Sequence, residues 1–237
     1  DPPFNNPKLR QAVHHALDKR KYIEGAFWGL GETTDQRVPK ESPWHVKLPE
    51  VKHDPAKVAV LLKEAGAGPN FEVELMGLQT EDEELQVVQQ QLATAGIKAR
   101  VVIVERGARE SRESRGEFMM LLSGSEVPAE PGEEYPGELG CKEEDVKAKR
   151  RVENSAGYCN KEVDRLLAEA LRTADAKRRY ELYAKVVRIL HEEIPEIPLV
   201  FVPRYFTYHQ KIRGFETDAD GRFNTTTTGF SRVWIAR

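Results

Sequence analysis

The sequence predicts an α/β fold, a small mixed sheet flanked by helices, on three observations. Residues 71–104 read as strand, helix, strand with short joints, the pattern of a parallel β-α-β unit with a right-handed crossover. Helices with explicit start signals surround that unit, at Asn6-Pro7, Asp54-Pro55 and Asn160. A late apolar run, Leu199–Val202, supplies a further strand beside those expected at Phe71–Leu75 and Lys98–Val104.

The first helix begins almost at the first residue. Asn6 offers its side-chain oxygen to an otherwise unpaired backbone N–H, and Pro7 sits where a missing N–H has no consequence. Leu9, Ala12, Val13, Ala16 and Leu17 recur at three- and four-residue steps and form an apolar stripe. Asp54-Pro55 opens a second helix with Val58, Leu61, Leu62 and Ala65 on one face, and Gly66 stops it. Phe71, Val73 and Leu75 alternate with Glu72 and Glu74, a strand with one solvated face. Thr80-Glu81-Asp82-Glu83 fits a capping box before a helix carrying Leu85, Val88, Leu92 and Ala93, which ends at Gly96. Ile97–Val104 is dense in β-branched residues, and Phe118–Leu122 offers one more strand. Residues 123–157, with five glycines and three prolines, read as a long loop or insertion with a short helix around Glu143–Lys149. Asn160 then caps a helix, and another runs from about Asp175 to His191 with Tyr180, Tyr183, Val186, Val187 and Leu190 on one face.

Composition narrows the function classes. The 237 residues, 39% hydrophobic and 32% charged, suffice for one large or two small domains with a real core. A net charge of −3, from 36 basic and 39 acidic residues, gives no reason to expect nucleic acid or an anionic membrane as partner. No apolar run approaches the roughly 20 residues of a membrane-spanning helix. No metal and no cofactor is expected, since Cys141 and Cys159 are too few for a zinc site. His14 and His15 are adjacent on a helix and point about 100° apart, so one packs and one faces out. His45 and His53 stand apart in a Pro-rich connection and read as surface residues, and Glu81–Glu84 as a helix-start face favoured by the macrodipole. No nucleophile elbow, phosphate loop or cysteine–histidine signature is present, so an enzyme has no nucleophile or base to name.

Six phrases, in fixed order over nearly the whole chain, resemble family 5 solute-binding proteins of ABC transporters, the dipeptide- and oligopeptide-binding group. They are the opening Pro3-Phe4-Asn5 to Arg10-Gln11-Ala12 with Ala16-Leu17-Asp18-Lys19, the run Asp54-Pro55-Ala56-Lys57 to Glu64-Ala65-Gly66, and Gln90-Gln91-Leu92 with Gly96-Ile97. Asn160-Lys161-Glu162-Val163-Asp164, Arg179-Tyr180 with Tyr183, and Ile194-Pro195 with Ile197-Pro198-Leu199 complete the series. The resemblance implies one lobe of a type II periplasmic-binding-protein fold. It implies a C-terminal lobe over residues 1–204, and a return segment over 205–237 that crosses a hinge toward a first lobe lying upstream with its secretory or lipoprotein signal. A C-terminal hairpin packed on the same domain is the alternative for the return segment. The implied partners are a peptide or similar small solute, the N-terminal lobe and the permease subunits, in a periplasmic or cell-surface setting. A ligand-sensing lobe reused in a regulatory protein is the alternative function.

At the ligand site the chain departs from the family. Peptide binders of this group carry an aspartate, in an acidic-Pro phrase, that pairs with the peptide α-ammonium. The matching text is Ser123-Gly124-Ser125-Glu126-Val127-Pro128-Ala129-Glu130-Pro131, where Val127 falls on the aspartate position. Gly124, Ser125 and Glu126 are therefore the candidate ligand residues, with Glu126 acting from a shifted loop; the alternative is a solvated loop acid. The extracytoplasmic setting implied by the family permits a disulfide between Cys141 and Cys159, which bracket the least regular segment, and such a closure contributes about 3 kcal/mol in the loop-entropy model. The alternative is two unrelated small hydrophobic residues.

Overall fold

In the computed structural model, which describes residues 2–68, 71–125, 127–141, 151, 153–203, 205, 207–215 and 233–236, the local start signals act as the sequence dictates. The Asn6 side chain accepts the Lys8 N–H at 3.0 Å and opens α1 (Pro7–Ala16), whose stripe buries Leu9, Ala12, Val13 and Ala16. Leu17 is extended, so α1 stops there and Asp18 caps α2 (Lys19–Phe27) by accepting the N–H groups of Arg20 and Lys21. Asp54 caps α3 (Pro55–Glu64) through the Lys57 N–H. His14 is buried, while His15 is half-buried and bonds to the Lys52 carbonyl, so the two rings do point apart.

The central sheet contains β2 (Glu72–Leu78), β3 (Lys98–Val104) and β4 (Met120–Leu121) in the order β3-β2-β4, all parallel. β2 runs past the expected Phe71–Leu75 because Leu75, Met76, Gly77 and Leu78 are all buried, as in a strand covered on both faces. Thr80 does not cap the following helix. It lies in a 3₁₀ turn (Gln79–Glu81), where the Glu81 carboxylate accepts the Leu78 N–H at 2.8 Å before α4 (Asp82–Thr94) begins. An unexpected helix, α5 (Arg106–Arg115), connects β3 to β4. Beyond β4 lie α6 (Tyr135–Glu138), α7 (Lys161–Leu171) and α8 (Ala176–Glu193), with Asn160 and Asp175 capping the last two.

The run Leu199–Val202 does not enter the central sheet. Its paired part, β5 (Val200–Phe201), lies antiparallel to β1 (Glu32–Thr33), flanked by Pro198 and Pro203, which have no N–H to extend a ladder. The mixed character thus resides in separate ribbons; the second pairs β6 (Ile212–Arg213) with β7 (Trp234–Ile235), leaving Trp234 59% and Ile235 70% exposed. The expected helix at Glu143–Lys149 falls outside the described residues.

Two apolar cores result. One fills the space between the sheet and α1, α3 and α4, around Val13, Leu61, Leu75 and Leu92; the other joins α6, α7 and α8 around Tyr135, Leu166, Tyr183 and Val187. Residues 34–37 form a polar seam between them. Lys19 Nζ reaches the Thr34 carbonyl and Asp35 Oδ1, each at 2.5 Å, and His14 Nε2 lies 3.4 Å from the same carboxylate oxygen. Gln36 donates to the Val46 carbonyl at 2.6 Å, and Arg37 pairs with Glu196 and Glu138.

Burial pushes the Asp35 carboxyl up, but His14 and Lys19 beside it outweigh that effect and hold it at about 2. Burial also lowers the His14 pKa, against the raising effect of Asp35. Both folded-state values lie below the unfolded ones, so both groups favour the folded chain at neutral pH. Stability therefore falls as the pH drops below about 6.5, where unfolded histidine protonates, and again from about 3.9 toward 2 as Asp35 protonates. Asp35→Asn leaves Lys19 buried without its counter-charge. We expect it to lose about 3 kcal/mol at pH 7 and to flatten the pH profile below about pH 4, read by urea unfolding followed by circular dichroism. An unchanged midpoint at pH 7 contradicts this account of the seam.

Candidate ligand site

Parallel strands bring their carboxyl ends to one edge. In open α/β sheets, ligands bind outside those ends where successive connections leave in opposite directions. Here β2 leads through α4 to a neighbour on one side, β3, and β3 returns through α5 to β4 on the other, so this rule points to the ends of β2 and β4. Gln79 and Thr80 emerge from β2 there, and Ser123, Gly124 and Ser125 from β4; all five are exposed.

An ion pair ties the two strand ends together. Arg109 of α5 holds Glu81 Oε1 at 3.0 Å through Nη1 and the Ser123 hydroxyl at 2.6 Å through Nη2, while Nε lies 3.6 Å from Glu113. The other Glu81 oxygen carries the Leu78 N–H, so one carboxylate and one guanidinium fix the turn after β2 against the loop after β4. Gly77 makes room for this arrangement. A Cβ there meets both Leu85 methyl carbons at 2.9 Å and Glu81 Oε2 at 3.0 Å. Next to the turn, Glu84 accepts the Tyr22 hydroxyl at 2.9 Å, and burial raises its carboxyl above the ordinary value.

Of the three candidate ligand residues, Gly124 and Ser125 stand on this edge, and a Cβ at Gly124 meets no atom within 4 Å. Glu126 lies outside the described residues. The acid of the Glu130-Pro131 pair faces inward, accepting the Tyr183 hydroxyl at 2.7 Å with Arg179 Nε at 2.8 Å. That acid anchors the loop to the second core. Cys141 and Cys159 are joined as a disulfide with Cα atoms 4.5 Å apart, between the end of α6 and the cap of α7.

Sequence reasoning missed Arg109 because α5 has no apolar stripe. Its signal was arginine at every third position, Arg106, Arg109, Arg112 and Arg115, among Glu105, Glu110, Glu113 and Glu117. A recess of water-molecule size lies in the seam among His14, Asp35, Arg37, His191 and Glu196. Its charges are matched within the lobe, which makes it part of the seam packing. Among the described residues, no group of three or more His, Cys, Asp or Glu side chains is placed to hold a metal ion, and no helix is long and apolar enough to cross a membrane.

Comparison with known proteins places the fold. The family of bacterial extracellular solute-binding proteins, family 5 (middle region), matches residues 1–139. The glutathione-binding proteins GsiB of Salmonella choleraesuis (strain SC-B67) and of Escherichia coli (strain K12) are each 32% identical over 97% of this chain. The chain spans 44% of the length of these curated relatives. Among solved structures, the ABC transporter-associated periplasmic binding protein DppA from Helicobacter pylori, in complex with the peptide STSA, superposes on all of this chain and 45% of its own, with TM-score 0.84 and 23% identity. HbpA2 from Haemophilus parasuis superposes on all of this chain and 46% of its own, with TM-score 0.82 and 25% identity.

Gly77→Ala tests the strand-end tie. The added methyl displaces Leu85 and the Glu81 carboxylate, for an expected loss of about 1–3 kcal/mol in denaturant unfolding. Amide exchange at Leu78 should accelerate as its acceptor moves away. A variant as stable as the parent, with Leu78 equally protected, contradicts the assignment.

Proposed function

Because the chain belongs to the bacterial extracellular solute-binding proteins of family 5, we propose that it is the C-terminal lobe of the substrate-binding component of an ABC importer. In this reading it closes with an N-terminal lobe around a peptide or similar small solute, glutathione among them, and presents it to the permease outside the cytoplasm. The protein binds and releases its solute without chemical change. The observation that carries the reading is the alignment of 97% of this chain with 44% of the length of relatives named for glutathione binding.

The open carboxyl edge of the sheet is consistent with one wall of a divided site. Ser123, Ser125, Thr80 and Gln79 offer hydroxyl and amide groups to a polar ligand, and the Arg109–Glu81 pair holds both strand ends in position beforehand. Apolar side chains left uncovered support a second lobe. Trp28, four residues before β1, is 78% exposed, Tyr205, four residues after β5, is 69% exposed, and Trp234 and Ile235 lie open on β7. We accordingly assign residues 1–204 to the lobe and 205–237 to a return segment toward its partner.

A site with one wall binds weakly, because the ligand keeps most of its surface in water. Calorimetry of this chain with glutathione and with dipeptides should give affinities weaker than micromolar, and joining it to an N-terminal lobe should restore micromolar or tighter binding with closure. Micromolar binding to this chain alone overturns the divided site. A closed two-lobe protein that binds none of these solutes overturns the ligand class.

A further inference from the structure

We propose that the Cys141–Cys159 bridge is a thiol-exchange site, at which a low-molecular-weight thiol of the glutathione class forms a mixed disulfide on Cys159 and releases Cys141. Cys159 is exposed, immediately before the Asn160 cap of α7, whereas Cys141 is half-buried and its N–H is held by Asp164 Oδ1 at 2.9 Å. Cys159 is therefore the more exposed residue of the pair and the one at which we place the attack. Neither cysteine belongs to either apolar core, so attack requires no opening of the cores.

The exchange balances. The incoming thiolate sulfur bonds to Cys159 Sγ as the Sγ–Sγ bond breaks, and the electron pair leaves on Cys141 Sγ, which takes a proton from water. A second thiol attacking the adduct gives free Cys159 and the oxidised low-molecular-weight disulfide. In the other direction, Cys141 attacks the adduct, expels the small thiol and closes the bridge again. Cys141 stays positioned for that return, since Asp164 of α7, outside the closed loop, holds its N–H.

The bridge also reaches the sheet. It closes a loop of 18 residues' separation that includes Arg151 and Asn154. The Arg151 N–H donates to the Ser114 carbonyl at 2.8 Å near the end of α5, and its guanidinium lies 5.8 Å from the Phe118 ring, just before β4. Asn154 accepts the Tyr158 N–H at 3.0 Å and donates to the Tyr158 carbonyl at 2.7 Å. Opening the bridge thus loosens the support beneath the entry to β4, the strand whose far end carries Ser123–Ser125.

The test uses the folded wild-type chain in glutathione buffers of graded reduced-to-oxidised ratio, with peptide mapping by mass spectrometry and hydrogen exchange. Expected are a glutathione adduct on Cys159, an unchanged far-ultraviolet spectrum and, among the described residues, faster amide exchange at 114–118 and 153–158. Exchange should proceed at least about tenfold faster than global unfolding allows. Cys141→Ser, which cannot re-close, should accumulate one glutathione on Cys159 when treated with oxidised glutathione. A bridge that reacts only at the global unfolding rate, or an adduct confined to Cys141, overturns the proposal. It needs neither the second lobe nor a permease, so its outcome is separate from that of the transport reading.

Discussion

The contact between Lys19 and Asp35 is the constraint on which the two halves of this lobe depend. Residues 34–37 cross from the sheet core to the helical core, and a backbone segment between two apolar clusters must satisfy its polar groups without bulk water. The sequence supplies a polar partner at each step. Lys19 takes the Thr34 carbonyl and Asp35, Gln36 exchanges bonds with the Val46 backbone, and Arg37 draws Glu138 and Glu196 from the other side. Taking a lysine and a carboxylate out of water is unfavourable in isolation, so the seam is stable only as a complete set. Fixing it orients α1 and α2 relative to α8, and thereby the frame in which the sheet edge is presented.

Charge replaces hydrophobicity at a second place. α5 buries no residue, yet it crosses the sheet as a defined helix because its arginines grip neighbours on both sides. Arg112 reaches Glu74 of β2 at 2.5 Å and the Glu117 carbonyl at 2.9 Å, while Arg109 joins Glu81 to Ser123. Exposed pairs of this kind contribute little one at a time. Arg109 and Glu81 differ in being mostly covered, 11% and 16% exposed, and in fixing two strand ends with one interaction. The carboxyl edge of the sheet is thus set by a polar tie, which leaves Gly124 and Ser125 beyond it open to solvent.

What could be read in the sequence was what is decided locally. Asn6, Asp54 and Asn160 cap the helices they precede because a side-chain oxygen two or three residues from an unpaired N–H needs nothing from the rest of the fold. The apolar stripes were equally legible: Leu61, Leu92 and Val187 are all buried. Partners distant in sequence were not legible. β5 has the text of a core strand, yet it pairs with two residues near position 32, and nothing in either segment names the other. Thr80 is a good cap by type, but the buried end of β2 leaves the Leu78 N–H to be satisfied, and Glu81 does so first. α5 escaped because its periodicity is carried by arginine, and the residues between 142 and 150 lie outside what the structure describes.

The same division separates fold from ligand. Residues in the family phrases bond within the lobe. Arg10 closes the last turn of α8 at the Glu193 carbonyl, 2.8 Å away, and also holds the Phe4 carbonyl. Gln91 accepts the Asp18 N–H and donates back to the Asp18 carbonyl, locking the corner between α1 and α2 onto α4. Glu130, the acid of the acidic-Pro pair, is occupied by Tyr183 and Arg179. Side chains already engaged inside the lobe identify the scaffold and say nothing about the solute. In the proposed reading the solute meets the exposed ends of β2 and β4, beside the loop in which Val127 stands at the family's aspartate position. A chain can therefore belong unmistakably to its family through residues that turn inward, while the exposed residues beyond its strand ends are left undetermined by those phrases.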